Sequence, residues 1–328
     1  MGEDELSRIA NGYRAFAGEA SASSPLYARL AVDVANDPEI LQFLAALPVG
    51  KRQPNLLLAA VKHLYGAPAD GRELRGRVLD HSARLRAIMT ARATQTNEPA
   101  RCAALLPVLA RLDGPLALVE VGASAGLCLY PDKYSYDYDG RQVGVRSPVH
   151  LASTTTGGMP LPDRLPHVVA RIGIDLNPLD PADRDDRSWL RALVWPGPLA
   201  EDRLRRLDAA AELAGREPAR MLRGDLVDRL PDAVALVPAG CTVVVFHTAV
   251  LPYVPAERRV AFLDLVRSLP VRWLSQEAPG VVPGTGAAPA AGWVNEFILS
   301  LDGAPLARTA PHGGRIAWLP GAREIMAG

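Results

Sequence analysis

Residues 117–130, ALVEVGASAGLCLY, set Gly122, Ala123, Ser124 and Gly126 in a small-residue turn between apolar stretches. Two chemistries fit that spacing. Gly122-Ala-Ser124-Ala-Gly126 reads as G-x-S-x-G, the strained strand-to-helix turn that presents a nucleophilic serine in hydrolases. Glu120 followed by Gly122 and Gly126 reads equally as an acidic-x-Gly loop, whose small residues let a nucleotide-like cofactor approach the backbone and whose following helix offers its N-terminus. The same small residues could also serve plain helix–strand packing. The nucleophile reading requires several strands upstream and an oxyanion loop among them. The residues before 115 pattern as helices and contain no H-G-G-G-like stretch, which favours the cradle.

Other groups with chemical potential sit at the ends of strand-like runs. Asp175 closes VVARIGID and occupies the place where an acidic residue accepts hydrogen bonds from ribose hydroxyls. Asp225 closes ARMLRGD, where a carboxylate can meet an adenine amino group or simply cap the next helix. Glu120, Asp175 and Asp225 together disfavour a phosphate-rich ligand, since carboxylates repel phosphates, and no G-x-x-x-x-G-K-[ST] is present. A sulfonium nucleoside, S-adenosylmethionine, suits an acidic rim. His247 and Thr248 end CTVVVFHT, and Gln276 and Glu277 end VRWLSQE. His247 can act as a base near neutral pH or merely tie a loop to a backbone carbonyl, with Glu277 orienting it, accepting a proton or binding a substrate amine, while Thr248 binds substrate. Gln95, Asn97, Glu98 and Arg101 form a polar cluster at a helix start that could contact substrate, Asn97 being the expected N-cap.

Two kinds of element must position these groups. Residues 1–112 carry helix-period patterns punctuated by proline and glycine, with helices opening at Pro25 and Pro54 and a longer one over 72–93. From 113 to 328 short apolar runs alternate with helix candidates at 187–194, 201–214, 227–237 and 256–269, the grammar of a mainly parallel sheet covered on both faces. WVNEFILSLDG and GRIAWLP suggest a terminal antiparallel hairpin, and alternate tyrosines around Asp139-Gly140 suggest a small β-ribbon inserted at 131–147. The expected architecture is α/β: a Rossmann-like sheet preceded by a helical N-terminal domain.

The chain has 328 residues, 48% of them hydrophobic, and a formal net charge of zero, which gives no bulk attraction for nucleic acid or an anionic membrane. Lys51, Lys62 and Lys133 are the lysines among 36 basic residues. Such arginine and alanine usage looks like a high-GC genome. Cys102, Cys128 and Cys241 lie in apolar settings without disulfide or metal-ligand spacing, and the histidines show none either. MGEDELSRIA lacks the order of a signal peptide, and no apolar run reaches the roughly 20 residues of a membrane span. A cytoplasmic protein acting on a small molecule is expected, as a monomer or in a homo- or hetero-oligomer.

RQPNLLLAAVKHLYG, TQTNEPARCAALLPVL, LVEVGASAGLCLYPDKYSYDY, GIDLNPLD with WLRALVWP, and VVVFHTAVLPYV together resemble the bacterial domain-of-unknown-function family 2332, common in actinobacteria. The resemblance spans nearly the whole chain and implies a class I methyltransferase-like fold with a helical N-terminal part; it brings no reaction with it. Cys128 departs from the asparagine expected there. The residues therefore lead to S-adenosylmethionine-dependent methyl transfer to a small-molecule nitrogen or oxygen. The alternative is the same fold repurposed, either for another small-molecule step such as elimination or ring closure, or for a non-catalytic role in a complex.

Overall fold

The computed structural model describes residues 3–285, 293 and 295–325. They form two compact units, Met1–Thr96 with Asp183–Leu207, and Asn97–Ala182 with Asp208–Gly328.

The first unit is helical, and no described residue before Leu116 lies in a strand. Prolines start three of its helices: Pro25–Ala35 is capped by the Ser24 side chain, Pro38–Ala45 by Asp37, and Pro54–Tyr65 ends at Gly66, whose φ of 84° suits glycine. The long helix expected over 72–93 is two, Gly71–Asp80 and Ser82–Ala91, broken at His81. Residues 183–207 join this unit through specific bonds. Lys62 Nζ donates to the carbonyls of Arg191 and Val194, the Trp189 indole donates to Ala93 O at 3.0 Å, and Arg92 pairs with Asp185 and Asp186.

The division expected at residue 112 therefore falls elsewhere. Residues 97–112 belong to the second unit, where Cys102–Leu109 is an α-helix buried at every position. A helix apolar all round has no solvent face and must sit inside a core. Its proline, Pro107, is tolerated within that short span.

The second unit holds one eleven-stranded, mostly parallel sheet. Its strands are β1 (Leu116–Val121), β2 (Ser135–Tyr138), β3 (Arg141–Val143), β4 (His150–Thr156), β5 (Val168–Asp175), β6 (Arg220–Arg223), β7 (Thr242–Thr248), β8 (Arg272–Glu277), β9 (Phe297–Leu301), β10 (Ala304–Thr309) and β11 (Arg315–Trp318). Their spatial order is β3-β2-β4-β11-β10-β9-β8-β7-β1-β5-β6. From β6 to β8 every neighbouring pair is parallel. β9, β10 and β11 follow as an antiparallel meander, so the expected terminal pair is three strands; Asp302-Gly303 turns APLART back as an unanticipated β10. The expected ribbon forms as β2 and β3 around Asp139-Gly140, both with positive φ as a tight hairpin requires. It is no isolated appendage, because β4 pairs with β2 on one side and β11 on the other.

Strand parity sorts the sheet into two environments. Val119 and Val121 of β1, Ile172 and Ile174 of β5, Val245 of β7 and Trp273 of β8 pack against Leu226 and Leu230 of the helix Leu226–Ala235 and Phe262, Leu263 and Val266 of the helix Ala256–Ser268. The alternate positions, Glu120, Thr248 and Gln276, point to the other face.

Candidate functional site

The turn after β1 is built by backbone bonds to β5. Gly122 N and Ala123 N both donate to Ile174 O, at 2.8 and 3.0 Å. Gly122, Ser124 and Gly126 have φ of 69°, 54° and 70°, the left-handed region that costs a residue with a Cβ about 1 kcal/mol. At Gly122 no side chain fits, since a Cβ would lie 2.5 Å from Val250 Cγ2. Ala123 is fully buried over Gly173, where an added Cβ would approach it to 2.9 Å. Asp175 clamps this turn: Oδ2 accepts from Ser124 N at 2.8 Å and Oδ1 from Asn177 N at 2.7 Å. Ser124 O in turn accepts from Leu179 N at 3.0 Å. The Asp175 carboxylate thus shapes the turn.

The helix expected to follow the turn is absent. Leu127–Leu129 is a single 3-10 turn, so no helix N-terminus faces a ligand there. Pro131 bars an α-helix at Tyr130, and the Tyr134 hydroxyl donates to Leu127 O at 2.6 Å, holding the chain in its departing course.

Beneath the turn, Glu120 is 2% exposed and its Oε2 has no hydrogen-bond partner. Burial pushes its carboxyl well above the usual carboxylate range, with the Cys128 thiol and Asp175 adding to the rise and the Arg101 charge offsetting part of it. Arg101 is 7% exposed. Its Nη1 donates to Thr248 O at 2.8 Å and Thr248 Oγ1 at 3.1 Å, and its Nε to Pro311 O at 3.2 Å. Asn97, expected as a helix cap, instead accepts from Leu127 N at 2.9 Å through Oδ1 and so pins the turn after Gly126. Capping falls to Glu98, whose side chain accepts from Ala100 N at 3.1 Å. Cys128 and Cys102 are buried beside these residues; the Cys102 thiol hydrogen-bonded to Cys128, together with burial, drives the Cys128 thiol pKa upward. Gln95 lies in the helical unit.

His247 and Glu277 lie on the opposite face, inside the core beneath the helix Ala256–Ser268. His247 is fully buried; its Nδ1 is 2.7 Å from Glu277 Oε1, and the Trp273 indole donates to its Nε2 at 3.0 Å. Since Nε2 accepts, the ring proton sits on Nδ1 and is donated to Glu277. Both nitrogens are occupied, which removes His247 from the role of a base toward substrate. Glu277 Oε1 also accepts from Val250 N at 2.9 Å and Leu251 N at 3.2 Å. The pair therefore fixes the segment after β7, including Ala249 at φ 55°, and sets Val250 against Gly122. Thr248, one residue on, faces Arg101, as period-two alternation demands.

Asp225 takes the capping alternative. It accepts from Val227 N at 2.8 Å and pairs with Arg258. Burial alone would raise its pKa; the Arg258 bond and the backbone donors outweigh that and leave it below the usual aspartate range. Sequence reading missed Trp273, Thr309 and Cys102 as partners. Trp273 and Thr309 could have been found by pairing strand ends across the sheet and asking which residues share a face; Cys102 gave no such signal. Among the described residues no cluster of histidine, cysteine and acidic side chains could hold a metal ion, and no helix is long and apolar enough to cross a membrane.

The family model for an uncharacterized protein conserved in bacteria, domain-of-unknown-function family 2332, matches residues 10–318. The chain belongs to this family. No curated protein matches it. The match spans the glycine turn, the Glu120–Arg101 group and the His247–Glu277 pair alike.

Proposed function

We propose that the chain binds S-adenosylmethionine and transfers its methyl group to a small-molecule nitrogen or oxygen, on a Rossmann-like, methyltransferase-type sheet. The parallel strands, taken in chain order, lie third, second, first, fourth, fifth across β6-β5-β1-β7-β8. In that arrangement ligands bind outside the carboxyl ends of the strands where the order reverses, here between β1 and β7. The observation that carries the reading is Glu120, a buried carboxyl with an unpartnered oxygen at that reversal point, next to the 122–126 turn. A buried acceptor left unpaired costs about 1–3 kcal/mol, which a cationic ligand could recover. The missing helix N-terminus agrees with a cation in preference to a phosphate.

The cofactor, when bound, supplies an electrophilic methyl group. This chain's residues would bind it through the 122–126 turn, hold it against Glu120, and orient the acceptor near Thr248, so that acceleration comes from positioning. The buried state of His247 favours a second reading, in which the same ligand site serves another reaction or none, because the base expected for the acceptor is engaged elsewhere. Titration calorimetry of folded, ligand-freed protein with S-adenosylmethionine and S-adenosylhomocysteine tests the first reading. Binding of neither at millimolar concentration would sink it; binding without methylated product across nucleophile panels would favour the second.

A further inference from the structure

Lys62, half-buried in the last turn of the helix Pro54–Tyr65, closes the end of a helix far along the chain. Its Nζ donates to Arg191 O at 3.1 Å and to Val194 O, the carbonyls of the last turn and the C-cap of the helix Arg184–Leu193. Carbonyls there carry the negative end of the helix dipole, which suits a cation. The side-chain charges that act on Lys62, however, are Arg191 and Arg203, both of its own sign. The carboxylates of that helix, Asp185 and Asp186, lie at its opposite end, paired with Arg92, and Asp185 also lies 3.3 Å from His63 Nε2. Burial first, then Arg191 and Arg203, bring the Lys62 pKa from the ordinary 10.5 down to about 8. A neutral amine that spends two N–H groups on two carbonyls keeps its lone pair pointing away from both. That is the state in which a lysine is a nucleophile.

We propose that Lys62 is a modification site for small anionic acyl donors of the acyl phosphate class, and that its acylation loosens the end of the helix Arg184–Leu193 from the helix Pro54–Tyr65. The Arg191 and Arg203 charges draw the phosphate end of the donor. The amine lone pair forms the N–C bond, the C–O bond to phosphate breaks, inorganic phosphate leaves with that electron pair, and the amine proton passes to solvent. The amide that results has one N–H, so it serves at most one of the two carbonyls, and it lacks the charge that suits a helix end. The Trp189 bond to Ala93 O and the Arg92 pairs hold the earlier turns of the same helix, which confines the loosening to its last turn and the residues just beyond. All of these groups lie in the helical unit, so the inference is independent of the methyl-transfer reading.

Acetyl phosphate on the folded wild-type chain, followed by peptide mass spectrometry, compares the three lysines within one molecule. Lys133 pairs with Glu217 at 3.0 Å and Lys51 donates to Arg92 O at 2.6 Å, so both serve as internal references. Near neutral pH Lys62 should acetylate about tenfold faster than Lys133, because far more of it is free amine. Its rate should climb with pH and level off above about 8. Hydrogen exchange should then rise several-fold over residues 190–197 and stay unchanged over 184–188. Lys62→Gln should reproduce that loosening without reagent, whereas Lys62→Arg, which keeps donors and charge, should keep the protection and take no label at that position. Lys62 labelling no faster than Lys133 overturns the site, and fast labelling with unchanged exchange over 190–197 overturns the loosening.

Discussion

The two faces of the sheet at the ends of β7 and β8 use similar side chains to opposite effect. On one, a single oxygen of Glu277 accepts hydrogen bonds from His247 Nδ1–H and two backbone N–H groups, and His247 Nε2 accepts one from the Trp273 indole. On the other, Glu120 has no partner for Oε2, and the Arg101 guanidinium whose charge acts on it is committed to Thr248. Both carboxyls are about equally buried, 2% exposed each. Burial therefore does not distinguish structure from function here, and neither does one vacant oxygen, since Glu277 Oε2 is unpartnered too; what differs is that the other oxygen of Glu277 organises three donors. A carboxylate that organises three donors fixes a loop, whereas one held apart from its countercharge stores a cost that a ligand can relieve.

The largest expected effect is on the satisfied face. Glu277→Ala leaves three buried donors unpaired and should cost about 3–5 kcal/mol of unfolding free energy in urea titration, with Glu277→Gln recovering part of it. A loss below 1 kcal/mol would dissolve the contrast. Next comes the contact that joins the faces. Gly122→Ala imposes a Cβ at φ 69° and 2.5 Å from Val250 Cγ2, and should cost about 2–3 kcal/mol by strain and overpacking. A Val250→Ala background should restore much of that loss, because it empties the space the Cβ needs; no restoration would mean the backbone angle alone matters.

How much of this was legible in the sequence follows from the same contrast. The ranges of β1 and β5, and the glycine turn between apolar runs, come from local pattern and were readable to the residue. Period-two alternation separates His247 from Thr248 and Glu277 from Gln276, so His247 and Thr248 face opposite sides of the sheet. Asp225 was ambiguous because a cap and a ligand acceptor use the same residue at the same strand end. The short 3-10 turn after Gly126 and the strands β4 and β10 were not readable, since HLASTTT and APLART acquire strand character only from neighbours far along the chain. Placement of residues 183–207 with the N-terminal helices depends on the Lys62, Trp189 and Arg92 contacts, which leave no local signature.

The unsatisfied face should show itself in pH dependence. Burial raises the Glu120 pKa above its ordinary value of 4.5, so the folded state holds that proton more tightly than the unfolded chain. Stability in the absence of ligand should then fall as pH rises from that ordinary value through the raised one. Glu120→Gln abolishes this slope, so the variant should match wild type near pH 4 and exceed it at neutral and alkaline pH in thermal melts. A cationic ligand end demands the carboxylate, so its binding should release a proton and strengthen with pH. Calorimetry in two buffers of different ionisation enthalpy reads that proton directly. Identical melting profiles for wild type and variant across pH would mean Glu120 is not the stored cost.

The smallest effect belongs to a carboxylate on neither face of the contrast. Asp225 caps the helix Leu226–Ala235 through Val227 N and is paired with Arg258 on an exposed surface. Loss of an aspartate cap costs about 1 kcal/mol, and the exposed ion pair adds little in salt. Asp225→Ala should therefore lower unfolding free energy by about that amount at neutral pH. Because its folded pKa lies below the ordinary aspartate value of 3.8, its contribution is present above that value and vanishes as pH falls through the depressed one. Wild type and variant should thus converge in strong acid, while ligand affinity at neutral pH stays the same. If Asp225→Ala weakened nucleoside binding tenfold while leaving stability untouched, Asp225 would belong with Glu120 as a ligand acceptor, and the donors a carboxylate organises would fail as the criterion that separates the two kinds of carboxylate.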